Sequence, residues 1–110
     1  MSECLFCGIV SGAVPSRRVD EDDATFAFED IAPRAPTHVL IVPKRHVAAM
    51  ADASDDALVG RVMLSAARIA KARGLESYRL VVNNGEGAGQ TVFHLHVHLL
   101  GGRPFSWPPG

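Results

Sequence analysis

Three of the five histidines in this chain, His94, His96 and His98, occupy alternate positions in the stretch VFHLHVHLLGG at residues 92–102. An unperturbed imidazole titrates near pH 6.5, so around neutrality it serves as a nucleophile, a general acid or base, or a metal ligand. In an extended strand, side chains two apart share a face. The three imidazoles would then line one side while Leu95, Val97 and Leu99 anchor the other in a core. Same-face neighbours lie about 6.6 Å apart, which puts the outer two backbones about 13 Å from each other. One metal ion could take two of these rings but hardly all three. The row better suits one reacting ring with neighbours that orient it or touch a substrate. A face that is merely solvated would be served equally well by Thr, Ser, Lys or Glu.

The surroundings narrow the chemistry. Gly85, Gly87 and Gly89 stand immediately upstream. Such a loop is ordinarily a turn, but directly ahead of the histidines its glycines allow close backbone approach, and its N–H groups could form a nest for an anion such as phosphate. Gln90 and Thr91 bring an amide and a hydroxyl to the same end. Strand parity turns Thr91 away from the histidines, so the loop must curl before Val92 if Thr91 is to reach them. Asp30 reads either as a turn residue ahead of Pro33 or as an acceptor for vicinal ribose hydroxyls. Cys4 and Cys7 form a C-x-x-C too closely spaced to staple a fold, and in a reducing compartment they read as thiols or as metal ligands.

The elements that must position these groups follow from periodicity and punctuation. At 110 residues and 47 % hydrophobic, the chain fits one domain over residues 1–110 with a modest core. Residues 3–10 suggest a short helix or turn, and a strand is expected around Thr25–Phe28. Residues 37–44 (THVLIVPK) carry apolar side chains without alternation, as in a central strand covered on both faces and ended by Pro43. A long helix follows, with Ser54 as N-cap, Asp55 and Asp56 in the first turn, Lys71 and Arg73 in the last, and Gly74 beyond. Leu58, Val59, Val62, Met63, Ala66, Ile69 and Ala70 form its apolar stripe, a core face or else a dimer seam, with Arg61, Ser65, Arg68 and Lys71 opposite. Residues 78–83 and 92–100 complete the strands. Blocks of this kind joined by short turns indicate an α+β fold with a mainly antiparallel sheet.

Composition also excludes classes. A formal net charge of −1 argues against a general nucleic-acid binder. No apolar run approaches the roughly 18 residues needed to cross a bilayer, and residues 1–10 lack the features of a secretory leader. A cytoplasmic location is expected.

With these residues in view, HLHVHLL resembles the signature of the histidine triad (HIT) superfamily, and NNGEGAGQTVFHLHVHLLGGRPFSWPPG is similar to its Hint branch through to the W-P-P-G ending. AFEDIAPRAPTHVLIVPKRH is similar to the first nucleotide-binding segment of that branch. The resemblance implies a five-stranded HIT-like fold with one long and one short helix and with sheets joined across a homodimer. It implies hydrolysis of purine nucleoside 5′-phosphoramidates with no cofactor required for catalysis. Carried over, His96 is the nucleophile that forms a nucleotidyl-histidine, His98 binds a phosphate oxygen, and His94 and His38 support the imidazole network. Asn83, Gly89, Gln90 and Thr91 would face the phosphate or the leaving group, and Asp30 and Ile31 the ribose and base. Thr91 stands where serine is common, and Ala88 replaces a loop glycine. Several bacterial members also bind zinc, which implies a structural site of Cys4, Cys7, His46 and His94. Trp107 either packs the tail or lies near the partner protomer's site. A G-Q-T-V loop ahead of a triad also resembles dinucleoside polyphosphate hydrolases, and a nucleotide-binding adaptor with incidental turnover is a further alternative.

Overall fold

A computed structural model describes residues 4–110. Five strands form one antiparallel sheet in the order β1-β2-β3-β5-β4: β1 Arg18–Glu21, β2 Thr25–Glu29, β3 Thr37–Pro43, β4 Tyr78–Val81 and β5 Val97–Gly101. Two helices, α1 Leu5–Ser11 and α2 Asp56–Ala72, complete the expected α+β architecture. No helix among the described residues is long and apolar enough to cross a membrane.

β3 is the middle strand and is buried along its whole length, as its unalternating apolar run predicts. Val39 and Ile41 join Ala27, Val97 and Leu99 in a core against Val62, Ala66, Ile69 and Ala70 of α2. Leu40 and Val42 point the other way and meet Phe26, Phe28 and the Phe6 and Ile9 side chains of α1. One strand therefore separates two small cores, with α2 over one face of the sheet and α1 over the other. Only side chains of period 2 on a strand covered twice produce this division.

Four details differ from the sequence expectations. The cap of α2 is Asp55 rather than Ser54: the Asp55 carboxylate accepts the Leu58 N–H at 3.1 Å, and a negative group is favoured over a hydroxyl at the positive end of a helix. Ser65, placed on the solvent side by its polarity, is buried and pairs its hydroxyl with that of Thr25 at 3.1 Å. The last strand begins at Val97, not at residue 92. Pro43, opposite the place where Leu95 would pair, has no N–H to give, and its carbonyl accepts from the ring of His94 at 2.8 Å. β1 was not foreseen, because its polar run RVDE carries no apolar alternation.

Candidate active site

The histidine row divides at the start of β5. Leu95, Val97 and Leu99 are buried, as the alternation requires. On the opposite side His96 and His98 lie with ring centroids 5.0 Å apart, and both line a cavity of about 330 Å³. His94 turns its ring away towards the N-terminal segment, so the three imidazoles do not act as one row.

Each ring has a partner that fixes its tautomer. The Nδ1–H of His96 donates to the carbonyl of His94 at 2.7 Å, leaving Nε2 with its lone pair. Among the described residues no buried side-chain nitrogen or oxygen lacks a partner. The Nε2 of His96 has none among the described residues, so it opens on the cavity that the ring lines. The carbonyl of His94 is a partner that sequence alone could not name.

A second chain of bonds orients His98. The backbone N–H of Arg34 donates to His38 Nδ1 at 3.0 Å, so the proton of His38 sits on Nε2. That Nε2–H donates to His98 Nδ1 at 2.9 Å, which leaves the proton of His98 on Nε2, available to an anionic oxygen. Asp30 stands 3.3 Å from His38 Nε2, and its other oxygen accepts the Ala32 N–H at 2.8 Å. Asp30 is thus a turn residue and also a neighbour of the imidazole chain. Burial holds His98 at a pKa of about 4, aided by His96 and His38 and opposed by the Asp30 carboxylate. Burial likewise lowers His38, against the pull of Asp30. At neutral pH these rings are uncharged.

The remaining walls are mostly apolar, with Leu5, Phe6 and Ile9 from α1, Phe28 from β2 and Leu40 from β3, and with Ser16 and Glu29 as polar members. Ile31, 97 % exposed, stands at the mouth beside Asp30. Thr91 lines the same cavity, so the loop does curl before Val92 as parity demands. A slot with apolar walls and a few convergent polar groups is the usual form of a small-ligand site.

The glycine loop behaves differently from expectation. The Gly85 N–H donates to Gln90 Oε1 at 2.8 Å, and the N–H groups of Ala88, Gly89 and Gln90 are taken by Gly85 and Glu86 carbonyls. Four of the loop's donors, those of Gly85, Ala88, Gly89 and Gln90, are thus taken within the loop, so they do not form the anticipated phosphate nest. Gln90 is buried and braces the loop, its amide donating to the carbonyls of Ala48 at 2.8 Å and Val92 at 3.1 Å. It does not line the cavity. Asn83 and Gly89 lie side by side, also outside its lining. Gly89 adopts a φ of 101°, which explains a glycine there. Ala88 needs no such freedom and sits in a 3-10 turn, Glu86–Ala88.

Cys4, Cys7, His46 and His94 gather at the far side of His94, one donor atom from each within 4.8 Å of the others. His46 and His94 Nδ1 are 3.3 Å apart, and sulfur-to-nitrogen separations run 3.4 Å, 3.5 Å and 3.6 Å. Zinc bonds of ordinary length in a tetrahedron give edges of about 3.3 Å between nitrogens and about 3.5 Å from sulfur to nitrogen. The donor set and its spacing fit that ion. The Nε2–H of His94 on the Pro43 carbonyl supplies the outer hydrogen bond that directs a ligating Nδ1. Burial raises the Cys7 thiol, with the neighbouring Cys4 adding to the effect.

The comparisons with known proteins agree with this arrangement. Residues 11–105 match the family model described as HIT domain. An uncharacterized HIT-like protein of Synechocystis is 48 % identical over 98 % of this chain and 97 % of its own length. Among solved structures, a HIT family hydrolase from Legionella pneumophila is 49 % identical, with a TM-score of 0.95 over 98 % of this chain and 100 % of that one. A histidine triad protein from Clostridium difficile is 38 % identical, with a TM-score of 0.92 over 96 % of each chain. Fold and site together define a small α+β domain with a histidine-lined cavity. The chain belongs to the HIT domain family.

Proposed function

We propose that this protein hydrolyses purine nucleoside 5′-phosphoramidates, with His96 as nucleophile. The observation that carries the reading is the unpartnered Nε2 of His96 opening on a cavity with apolar walls, beside a His98 whose proton faces the same space. The apolar slot suits a purine, and Asp30 with Ile31 at the mouth suits ribose and base. His96 Nε2 attacks the α-phosphorus; the bond to the amine nitrogen breaks and a phosphorus–Nε2 bond forms. Water then displaces the nucleotide from His96 and frees the nucleoside monophosphate. The amine must leave protonated, and the cavity-lining groups that carry a proton include His98 and the hydroxyls of Thr91 and Ser16. Dividing one displacement into two is the gain of covalent catalysis, and the rest is positioning and charge stabilisation.

Zinc in the cysteine–histidine cluster would be structural: Cys4, Cys7, His46 and His94 would hold it, and it would supply cross-linking rather than chemistry at phosphorus. β4 is an edge strand, which favours a homodimer with sheets joined along it. The two free thiols fit a reducing compartment such as the cytoplasm.

The test is hydrolysis of an adenosine 5′-phosphoramidate beside a diadenosine polyphosphate by wild type and His96→Ala. Preference for the phosphoramidate, abolished in the variant with the fold intact, is expected. No preference would favour a dinucleoside polyphosphate hydrolase, and a variant as active as wild type would remove His96 from the chemistry.

A further inference from the structure

We propose that the Cys4–Cys7–His46–His94 cluster, when it holds zinc, latches the nucleotide cavity, so that metal and nucleotide strengthen each other's binding. This rests on the nucleotide reading above and adds a regulation of that same cavity.

Two physical connections carry it. The first runs through His94. Its ring is held at both nitrogens, Nδ1 in the cluster and Nε2 on the Pro43 carbonyl, and its own carbonyl receives the Nδ1–H of His96. A ring pinned twice gives the residue one conformation, and that conformation aims the bond which keeps the lone pair of His96 on Nε2. The second runs through Cys4. Its sulfur accepts the Cys7 N–H at 3.3 Å and so caps α1. The helix in turn places Leu5, Phe6 and Ile9 in the cavity wall. Phe6 sets its ring edge-on to His96 with centroids 5.0 Å apart, and at 6.0 Å to His94. A helix of seven residues does not persist by its own hydrogen bonds. Once metal is withdrawn, two imidazole lone pairs and two sulfurs lose their common partner, and α1 keeps its apolar packing and a cap whose sulfur is no longer anchored by an ion.

The cavity therefore has one wall and one reacting ring secured through the cluster, whereas the backbone of β3 is held by its ladders to β2 and β5 and by the α2 core on its other face. A nucleotide that packs on Phe6 and meets His96 favours the assembled arrangement, and so does zinc. Ligands that favour the same state must each raise the other's affinity by one common factor.

The experiment compares zinc-loaded protein with protein stripped by chelator, using AMP as probe. Amide exchange followed by mass spectrometry is expected to quicken on stripping for residues 5–11 and 92–96 while residues 39–42 of β3 stay protected. AMP affinity measured by calorimetry should fall about tenfold or more, within the usual range of such couplings. Saturating AMP should raise zinc affinity by the same factor. Equal AMP affinity in the two forms overturns the latch. So does exchange that rises equally in β3, since the metal would then support the whole fold. Failure of AMP to bind the zinc-loaded form counts against the nucleotide reading instead, and the exchange pattern still judges the latch.

Discussion

The carbonyl of His94 accepts the Nδ1–H of His96 at 2.7 Å, while the ring of His94 points away into the cysteine–histidine cluster. Two histidines of one motif, two residues apart, thereby do unlike work: one turns its ring to the cavity, where the proposed mechanism has it react, and the other fixes the tautomer of the first through its backbone and ties it to the N-terminal segment through its side chain.

His38 acts on His98 in the same manner from β3. Replacing it by Ala removes the donor that keeps the proton of His98 on Nε2. Turnover should drop roughly tenfold to a hundredfold, the loss expected when the bond from His98 to a charged phosphate oxygen is no longer oriented, with little change in AMP affinity. Steady-state kinetics together with calorimetry separates the two, and an equal loss in both would mean that His38 is only a packing residue.

The depressed pKa of His98, about 4, has a consequence for acid stability. In the unfolded chain this imidazole takes up a proton below about pH 6.5, whereas in the fold it stays neutral until about pH 4. Protons then favour unfolding, so its contribution is intact above pH 6.5 and is lost progressively as pH falls towards 4. Urea melts at several pH values should show the stability difference between wild type and His98→Gln shrinking from pH 7 to pH 5. A constant difference would show that His98 titrates alike in both states.

Neighbouring residues on β3 should respond differently. Val39 faces the α2 core and Leu40 faces the cavity. Val39→Ala should cost stability of about 1–3 kcal/mol in a core where little can collapse, with AMP affinity unchanged. Leu40→Ala should lower both stability and AMP affinity. Thermal melts and calorimetry on the two variants check the contrast.

The tail offers a selectivity test. Arg79 donates to the Ser106 carbonyl at 3.0 Å and lies over the rings of Phe105 and Trp107. Trp107 is 80 % exposed, so packing within its own chain does not account for it. Removing residues 103–110 should change discrimination among amine leaving groups more than AMP affinity, and Arg79→Ala should shift it in the same direction. Equal losses in rate and affinity would reduce the tail to a stabilising segment.

Much of this was legible in the sequence because it rests on period and residue type. The unalternating run of β3, the stripe of α2 and the alternation of Leu95, Val97 and Leu99 each encode a burial pattern directly. What was hidden depends on groups that every residue carries. The His94 carbonyl, the Pro43 carbonyl and the Arg34 N–H fix three imidazoles, and no side-chain pattern announces them. The glycine loop misled for the same reason: its N–H groups are taken by the Gly85 and Glu86 carbonyls and by Gln90, whose amide reads in sequence as a candidate ligand contact. The division of the triad between cavity and cluster became visible only once the ladder was seen to stop opposite Pro43.

The central claim is that His96 Nε2 bonds to phosphorus. The most direct measurement is to mix the zinc-loaded protein with an adenosine 5′-phosphoramidate, quench in alkali on the millisecond scale, and map the adenylyl group by mass spectrometry. The account predicts an acid-labile adduct on the peptide bearing His96, absent in His96→Ala and accumulating before steady state. An adduct on His94, His98 or His38, or turnover that persists in His96→Ala without any adduct, would contradict it.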